Sequence, residues 1–359
     1  MNALLPPARE LYEALHARSP VWEGRAYVCV KTTGIFCRLT CPARKPKFEN
    51  CEFEPTVEAC LAAGFRPCKR CRPTHDQIVA DPIVDQLREA LDAAPERRWS
   101  EADLRTRGLD PSSVRRAFRR HYGMTFLEFA RARRMQMAAH GLARGDRVIE
   151  AQFDAGFESA SGFRRAFANL LGASPRQFTA DTGLYVDWVE TPIGPMVAVA
   201  DASALHILDF LDRPSLPAAL QKRIAENGGI SFAAPDPIQQ VREELSDYFA
   251  GVRGVFTSPI HLVGTDFSQT VWRALRDIPT GEVRSYKAVA QIIGRPKAVR
   301  AVARANATNP LAIIVPCHRV IGHDGSLTGY GGGLWRKQKL ITLERAIADK
   351  TILQNETRK

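Results

Sequence analysis

The sequence predicts a multidomain α+β protein. Its parts are a small zinc-binding α/β domain, an all-α double helix-turn-helix domain, and a C-terminal domain that opens with strands. Three observations predict this. Seven of the eight cysteines fall within the first 71 residues. An Arg-rich block repeats itself 49 residues further on, at Val114–Phe118 and Phe163–Phe167. From Leu184 to Val199 the pattern turns strand-like around a Pro192-Ile193-Gly194-Pro195 turn, and the chain later becomes strongly basic.

With 359 residues the chain has room for two to four domains, at about 100–200 residues each. Hydrophobic residues make up 45% and charged residues 25%, which excludes general disorder. No apolar run approaches the roughly 20 residues that cross a bilayer, and the first residues carry no signal-peptide pattern. A cytoplasmic, nucleoid-associated protein without a membrane partner is expected. Net charge is +11 and unevenly spread. Residues 181–283 carry 7 basic and 14 acidic side chains, whereas residues 284–345 carry 11 and 2. An acidic segment beside a basic one points to a localised face for phosphate.

In the first domain, Cys37 and Cys41 form one close pair and Cys68 and Cys71 another, with 26 residues between the pairs. Two such knuckles can place four thiolates around one tetrahedral Zn2+ ion. Clustering of this kind in an intracellular chain points to metal rather than to disulfides. Cys29, Cys51 and Cys60 lack paired spacing and are assigned to packing. Structural zinc contributes about 10–16 kcal/mol of apparent binding energy to folding, ample for a domain with a thin core. The ligands stay thiolates at neutral pH, so the site carries a charge of about −2. Arg38, Arg44, Lys45, Lys47, Arg66, Lys69, Arg70 and Arg72 can bring a phosphate close. The spacing alone leaves open whether this cluster is structural or a nucleophile.

Asp81-Pro82 starts the second domain. Ser100 caps a helix with Asp103 at the box position, Gly108 gives a turn, and Asp110-Pro111 restarts a helix. Phe163, Ala166, Phe167, Leu170 and Leu171 line one apolar face of the later helix. The two units match at six positions in one register, including Gly123 with Gly172. Both carry Arg pairs off the apolar face: Arg115 and Arg116, then Arg164 and Arg165. Two arginine-bearing units in register point to DNA. In the last domain the apolar run Leu311–Val315 reads as a strand ending at Pro316. That sets Cys317 at a turn with His318 beside it as a candidate base. An adjacent Cys-His pair alone is weak evidence, and a packed thiol is equally compatible.

The residues also carry a resemblance. Lys31–Arg38 together with Ala63–Cys71 resembles the zinc domain of the bacterial adaptive-response (Ada) family. Residues 81–180 are similar to an AraC-type helix-turn-helix pair, and residues from about 184 to 347 to an O6-alkylguanine-DNA alkyltransferase. Pro316-Cys317-His318-Arg319-Val320 is that family's active-site motif. The resemblance implies an Ada-type domain at 1–78, a DNA-binding domain at 81–180, and an alkyltransferase of two subdomains. These would be a β-sheet part at 184–264 and a helical, winged-helix-like part at 265–347, with a frayed tail at 348–359.

The resemblance also implies roles. Cys37 would accept methyl from a DNA methylphosphotriester, and Cys317 from O6-methylguanine and O4-methylthymine, each once. His318 would take the thiol proton through a water and Glu344 would orient His318. Asn309 would structure the turn, and Tyr286 would assist departure of the base. Arg300 would fill the gap left by the flipped nucleotide, and Tyr330 would wall its pocket. Methylation of Cys37 would reduce repulsion from DNA and so switch on promoter binding. Double-stranded DNA and RNA polymerase are the expected partners, and the chain is expected to be a monomer. Two departures from the family pattern stand out. Ala151 and Gln152 replace an Ile-Ala pair before the second turn, and Gly331 stands where some relatives have Ser. The competing readings are a zinc-containing AraC-type regulator without methyl transfer, and a repair enzyme that binds DNA without activating transcription.

Overall fold

The computed structural model describes residues 5–22, 25–68, 70–71, 73, 81–178, 182–323 and 325–356. Lys69 and Arg72, two of the cations expected around the zinc site, lie outside them. The N-terminal part contains α1 (Ala8–Ala17), β1 (Tyr27–Val30), β2 (Ile35–Arg38), β3 (Cys51–Glu54), α2 (Val57–Ala62) and β4 (Arg66–Pro67). The strands lie in the order β3-β1-β2-β4, antiparallel except for β4 beside β2. On one sheet face Leu11 and Leu15 of α1 pack with Val28, Leu39 and three of the paired cysteines. The other face buries Tyr27, Cys29, Phe36, Val57 and Cys60. Cys29 and Cys60 pack with their sulfurs 3.4 Å apart, and the Cys51 thiol donates to the Lys47 carbonyl at 3.3 Å. None of these three cysteines joins the four-sulfur group, although Cys51 packs against the same core.

The second part is helical: α3 (Pro82–Ala93), α4 (Glu101–Thr106), α5 (Pro111–Tyr122), α6 (Phe126–Ala143), α7 (Val148–Asp154) and α8 (Ala160–Leu171). The helices expected from caps at Asp81, Ser100 and Asp110 start there. Asp81 accepts from the Ile83 amide, Ser100 and Asp103 form a reciprocal capping box, and Asp110 and Ser159 cap α5 and α8. The repeat is visible as geometry. Gly123 and Gly172 end α5 and α8 in the left-handed conformation, with φ 74° and 75°. Long α6 joins the two units. Ala151 is buried, and the equally buried Gln152 donates to the Phe157 carbonyl at 3.1 Å. The departure from Ile-Ala is therefore accommodated: the amide ties α7 to the turn ahead of α8.

The third part begins with β5 (Tyr185–Val189), β6 (Met196–Ala200) and β7 (Leu205–Phe210), followed by α9 (Leu216–Asn227), β8 (Ser231–Phe232) and α10 (Asp236–Phe249). The β5–β6 hairpin closes at the expected turn, where Thr191 Oγ1 donates to the Gly194 carbonyl at 2.5 Å. The sheet order is β7-β6-β5-β8. Behind it come α11 (Asp266–Arg276), β9 (Arg284–Ser285), α12 (Tyr286–Ile292), α13 (Val299–Ala307), β10 (Val320–Ile321) and α14 (Leu334–Glu356). The tail expected to fray continues α14 as helix to Glu356. No described helix is long and apolar enough to cross a membrane.

The sheet is buried on both faces. One side packs on α10–α13 and contributes Ala198, Leu208 and Phe210 to the core that holds Cys317. The other side packs on the second helix-turn-helix unit: Phe163, Phe167, Leu171 and Phe178 share one core with Val186, Trp188 and Val199. The core thus runs across the expected boundary at 180–184. Gly172 is wedged there, since a Cβ on it would collide with the Pro217 carbonyl. Charged pairs rim this junction. His140 meets Asp187 at 2.8 Å, and Arg133 meets Glu190 at 2.9 Å. Arg336, fully buried, donates to the carbonyls of Ile193 at 2.8 Å and Tyr122 at 2.8 Å and pairs with Asp212.

Candidate functional site

Two sites emerge, far apart in sequence and unlike in chemistry. The first is the cysteine cluster. Cys37 is the penultimate residue of β2, Cys41 follows in a turn, Cys68 follows β4, and Cys71 closes the segment. Pairing of β2 with β4 brings the two knuckles together, and the Cys68 amide donates to the Phe36 carbonyl at 3.0 Å. All four sulfurs lie within 4.8 Å of one another. Tetrahedral zinc with Zn–S bonds of about 2.3 Å needs sulfurs about 3.8 Å apart, so the cluster fits one zinc ion. Left to themselves the thiols cannot all ionise. Hydrogen bonds to Cys41 and Cys71 push the Cys37 thiol far up, and the same sharing pulls Cys41 down to about 2. A divalent cation removes that conflict. Two cations face the cluster's backbone: Arg38 Nε donates to the Cys71 carbonyl at 3.2 Å and Lys45 Nζ to the Cys41 carbonyl at 3.2 Å. Cys37 is 8% exposed and Cys71 more so.

The second site is built around Cys317. The predicted strand Leu311–Val315 is instead a buried loop with isolated bridges, from Leu208 to Leu311 and from Ala312 to Val315. Asn309 is the reason. Its Oδ1 accepts from the Leu311 amide at 3.0 Å, while its Nδ2 donates to the Val315 carbonyl at 2.8 Å and to Cys317 Sγ at 3.1 Å. These bonds replace the ladder a strand would need. Ile313 inside the loop has φ 72°, a strained value for a β-branched residue, held by the packing around it. Cys317 then opens a single helical turn with His318 and Arg319, as expected for a thiol at a turn.

His318 and Glu344 are both buried and meet at 2.8 Å through Nε2 and Oε1. His318 Nδ1 is buried without a protein partner, and among the described residues no hydrogen bond joins His318 directly to Cys317. Burial alone would raise Glu344, but His318 and Arg319 hold it down to about 2. Burial lowers His318 against the pull of Glu344, so the imidazole is neutral at pH 7. Burial also raises the Cys317 thiol, so it rests protonated. Tyr286 opens α12, and its hydroxyl donates to the carbonyls of Thr328 at 3.3 Å and Gly329 at 3.2 Å. Burial, and then the nearby Cys317, raise that phenol, so it stays a proton donor. Tyr330 Oη is buried without a partner beside this loop. Arg300 stands exposed in the first turn of α13. Arg115, Arg116, Arg164 and Arg165 are likewise exposed on α5 and α8.

Sequence reasoning missed the residues that hold this site in place. Arg319 grips Glu344 through Nε at 2.7 Å and Nη2 at 2.8 Å, and Tyr248 donates to the same carboxylate at 2.9 Å. Buried Lys337 donates to the Thr328 carbonyl at 2.6 Å. Burial lowers its ammonium to about 8. Arg213 binds the Asn309 carbonyl at 3.0 Å and Asp209 at 2.7 Å. A Cβ at Gly331 would come 2.8 Å from Arg213 Nε, so a serine there requires that guanidinium to shift. Only Arg319 had a signal, its place in the cysteine motif.

Three family models match in series: the metal binding domain of Ada over residues 10–74, a helix-turn-helix domain over 105–181, and the 6-O-methylguanine DNA methyltransferase DNA binding domain over 266–346. The bifunctional transcriptional activator/DNA repair enzyme Ada of Escherichia coli is 36% identical over 342 residues, spanning 93% of this chain and 95% of that one. The chain belongs to the Ada family. Within it, the C-terminal half also matches stand-alone enzymes. The methylated-DNA--protein-cysteine methyltransferase of Mycobacterium bovis is 45% identical over 168 residues, covering 46% of this Ada-family chain and 95% of the relative. A crystal structure of Mycobacterium tuberculosis OGT in complex with DNA is 42% identical, with TM-score 0.41, over 45% of this chain and 94% of that one.

Proposed function

We propose that this chain is a single-turnover DNA repair methyltransferase and a methylation-switched transcriptional activator, with Cys317 and Cys37 as its two acceptors. The observation that carries the reading is a buried thiol with Asn309 Nδ2 at 3.1 Å, followed in the chain by a buried His318–Glu344 pair at 2.8 Å. These residues supply a nucleophile, a base and an orienting carboxylate, with a water left to carry the proton from Cys317 to His318.

At Cys317 the chemistry balances as follows. The thiol proton passes to His318 through a bridging water, reaching Nδ1 while Glu344 holds Nε2–H. The thiolate attacks the methyl carbon, a C–S bond forms, and the C–O bond to guanine O6 breaks. The departing guanine takes a proton from the Tyr286 hydroxyl. O4-methylthymine presents the same alkyl ether and is a second substrate. The base is reached by flipping it from duplex DNA, with Arg300 filling the gap and Tyr330 walling the pocket. At the first site Cys37, Cys41, Cys68 and Cys71 hold the zinc, which keeps its ligands as thiolates. Cys37 takes methyl from the phosphotriester, leaving a diester. One negative charge is lost from about −2, so phosphate is repelled less. Arg115, Arg116, Arg164 and Arg165 meet promoter DNA once the switch is made. The active form is a cytoplasmic, nucleoid-associated monomer that recruits RNA polymerase.

The test is Cys317→Ala. O6-methylguanine repair is abolished while zinc content and phosphotriester repair persist. Retained O6 repair would overturn the assignment.

A further inference from the structure

Between the connecting helix α6 and the second helix-turn-helix unit lies a pocket of about 310 Å³. Arg98, Arg131, Arg134 and Arg165 line it, together with Ser159, which caps α8, and Glu158 just before it. Four guanidinium groups and one carboxylate give the lining a formal charge of +3. Glu158 is already engaged, paired with Arg98 at the mouth. Arg134 is the unusual member. It is 7% exposed, and its Nε and Nη1 are buried with no hydrogen-bond partner. Its one contact of note is the Phe157 ring, with the centroid 5.9 Å away. Elsewhere buried arginines are saturated: Arg319 and Arg336 each make several bonds to carboxylates and carbonyls. Burial, and then Arg131 and Arg98, press on the charge of Arg134, so it stands in a site built to be neutralised.

An unpaired buried cation is unfavourable unless a ligand supplies the missing anion. A guanidinium group donates strongly to a tetrahedral oxyanion, and the partnerless Arg134 Nε and Nη1 leave it donors to offer. We propose that this pocket binds a phosphate group, with Arg134 as its central ligand, and that the phosphate is a backbone diester of the DNA bound by the second helix-turn-helix unit. The inference deepens the DNA-binding reading above and rests on it. None of the arginines singled out by the repeat lies on α6. Arg134 sits on α6 and shares the pocket with the start of α8, so DNA contact there fixes the position of α8 as a whole rather than reading a base.

The experiment uses full-length, zinc-loaded protein and its Arg134→Gln and Arg134→Lys variants, with two probes: random-sequence duplex DNA and inorganic phosphate without DNA. Removing an uncompensated buried charge leaves the Tm of the Gln variant equal or higher. A purely structural arginine would instead lower it. Duplex affinity of the Gln variant falls about tenfold at moderate salt, and the slope of log K against log salt flattens by about 0.9. The Lys variant, keeping charge but not the guanidinium, falls in between. Phosphate raises the Tm of the wild type but not of the Gln variant. If phosphate stabilises only the wild type while the DNA slope is unchanged, the site takes a free phosphate ester and the DNA assignment falls. Equal slopes and equal phosphate response in wild type and variant would overturn the site altogether. Failure of the wild type to bind DNA would instead sink the reading beneath it, and the phosphate arm, run without DNA, tells the two apart.

Discussion

The two cysteine centres solve one chemical problem in opposite ways. At the zinc cluster, four thiols crowd within 4.8 Å and a metal ion is needed to keep them ionised. In the proposed function the nucleophile there is standing charge, and methylation registers as a change of that charge. At Cys317 a single thiol rests protonated in an apolar core, and in the proposed reaction the charge appears only when His318 accepts the proton. Standing charge suits a switch, because DNA phosphate feels it before and after reaction. Charge made on demand suits a buried pocket, where a permanent thiolate is disfavoured by burial. The fold follows the same contrast. The zinc cluster hangs on two short knuckles, whereas Cys317 is locked by Asn309, Asn306 and the Glu344 network.

The largest way to separate the centres is to remove the metal. Chelation deprives the N-terminal domain of about 10–16 kcal/mol of apparent binding energy, so it unfolds while transfer to Cys317 continues. Circular dichroism and an O6-methylguanine assay on the same sample check this. Loss of both functions would show that the centres are not independent. Next in size is Glu344→Gln. It leaves Arg319 buried without its carboxylate and loosens His318, lowering stability by about 3–5 kcal/mol. It also slows Cys317 methylation in the protein that remains folded, with phosphotriester transfer unchanged. Denaturant unfolding and single-turnover kinetics measure the two effects.

The smallest effect is that of pH. His318 is depressed from 6.5, so its neutral, base-competent form persists below the unfolded value. Transfer to Cys317 is therefore flat from neutral pH to about 6.5 and falls only below it. Glu344, held down to about 2 in the folded state, stabilises above its unfolded value of about 4.5. That contribution is lost as pH falls from there through about 2. A rate that declines already from pH 7.5 to 6.5 would contradict the neutral imidazole.

Much of this was legible in the sequence because it was local. Caps at Asp81, Ser100 and Asp110 and the paired cysteine spacing act within a turn or two, and the 49-residue repeat is written directly in the residues. The strand at Leu311–Val315 was misread because its apolar run obeys strand statistics. One side chain, Asn309, satisfies the backbone in another way. The acidic balance of residues 181–283 was visible, but its use was not. Asp187 and Glu190 pair with His140 and Arg133 across the junction with the helix-turn-helix domain, and Asp212 holds Arg336, which donates to the Tyr122 carbonyl there. Such partners are chosen by tertiary packing and leave no spacing to read. Lys337 escaped for the same reason: a lysine in a basic helix looks solvated until the helix is docked.

The most direct measurement is peptide mass spectrometry after incubating the zinc-loaded protein with methylated duplex DNA. The account predicts one methyl on the peptide containing Cys37 and one on the peptide containing Cys317. Methyl on Cys317 alone would make the zinc cluster structural and remove the switch. Methyl on neither, in folded protein with bound zinc, would contradict the account and leave a regulator without chemistry.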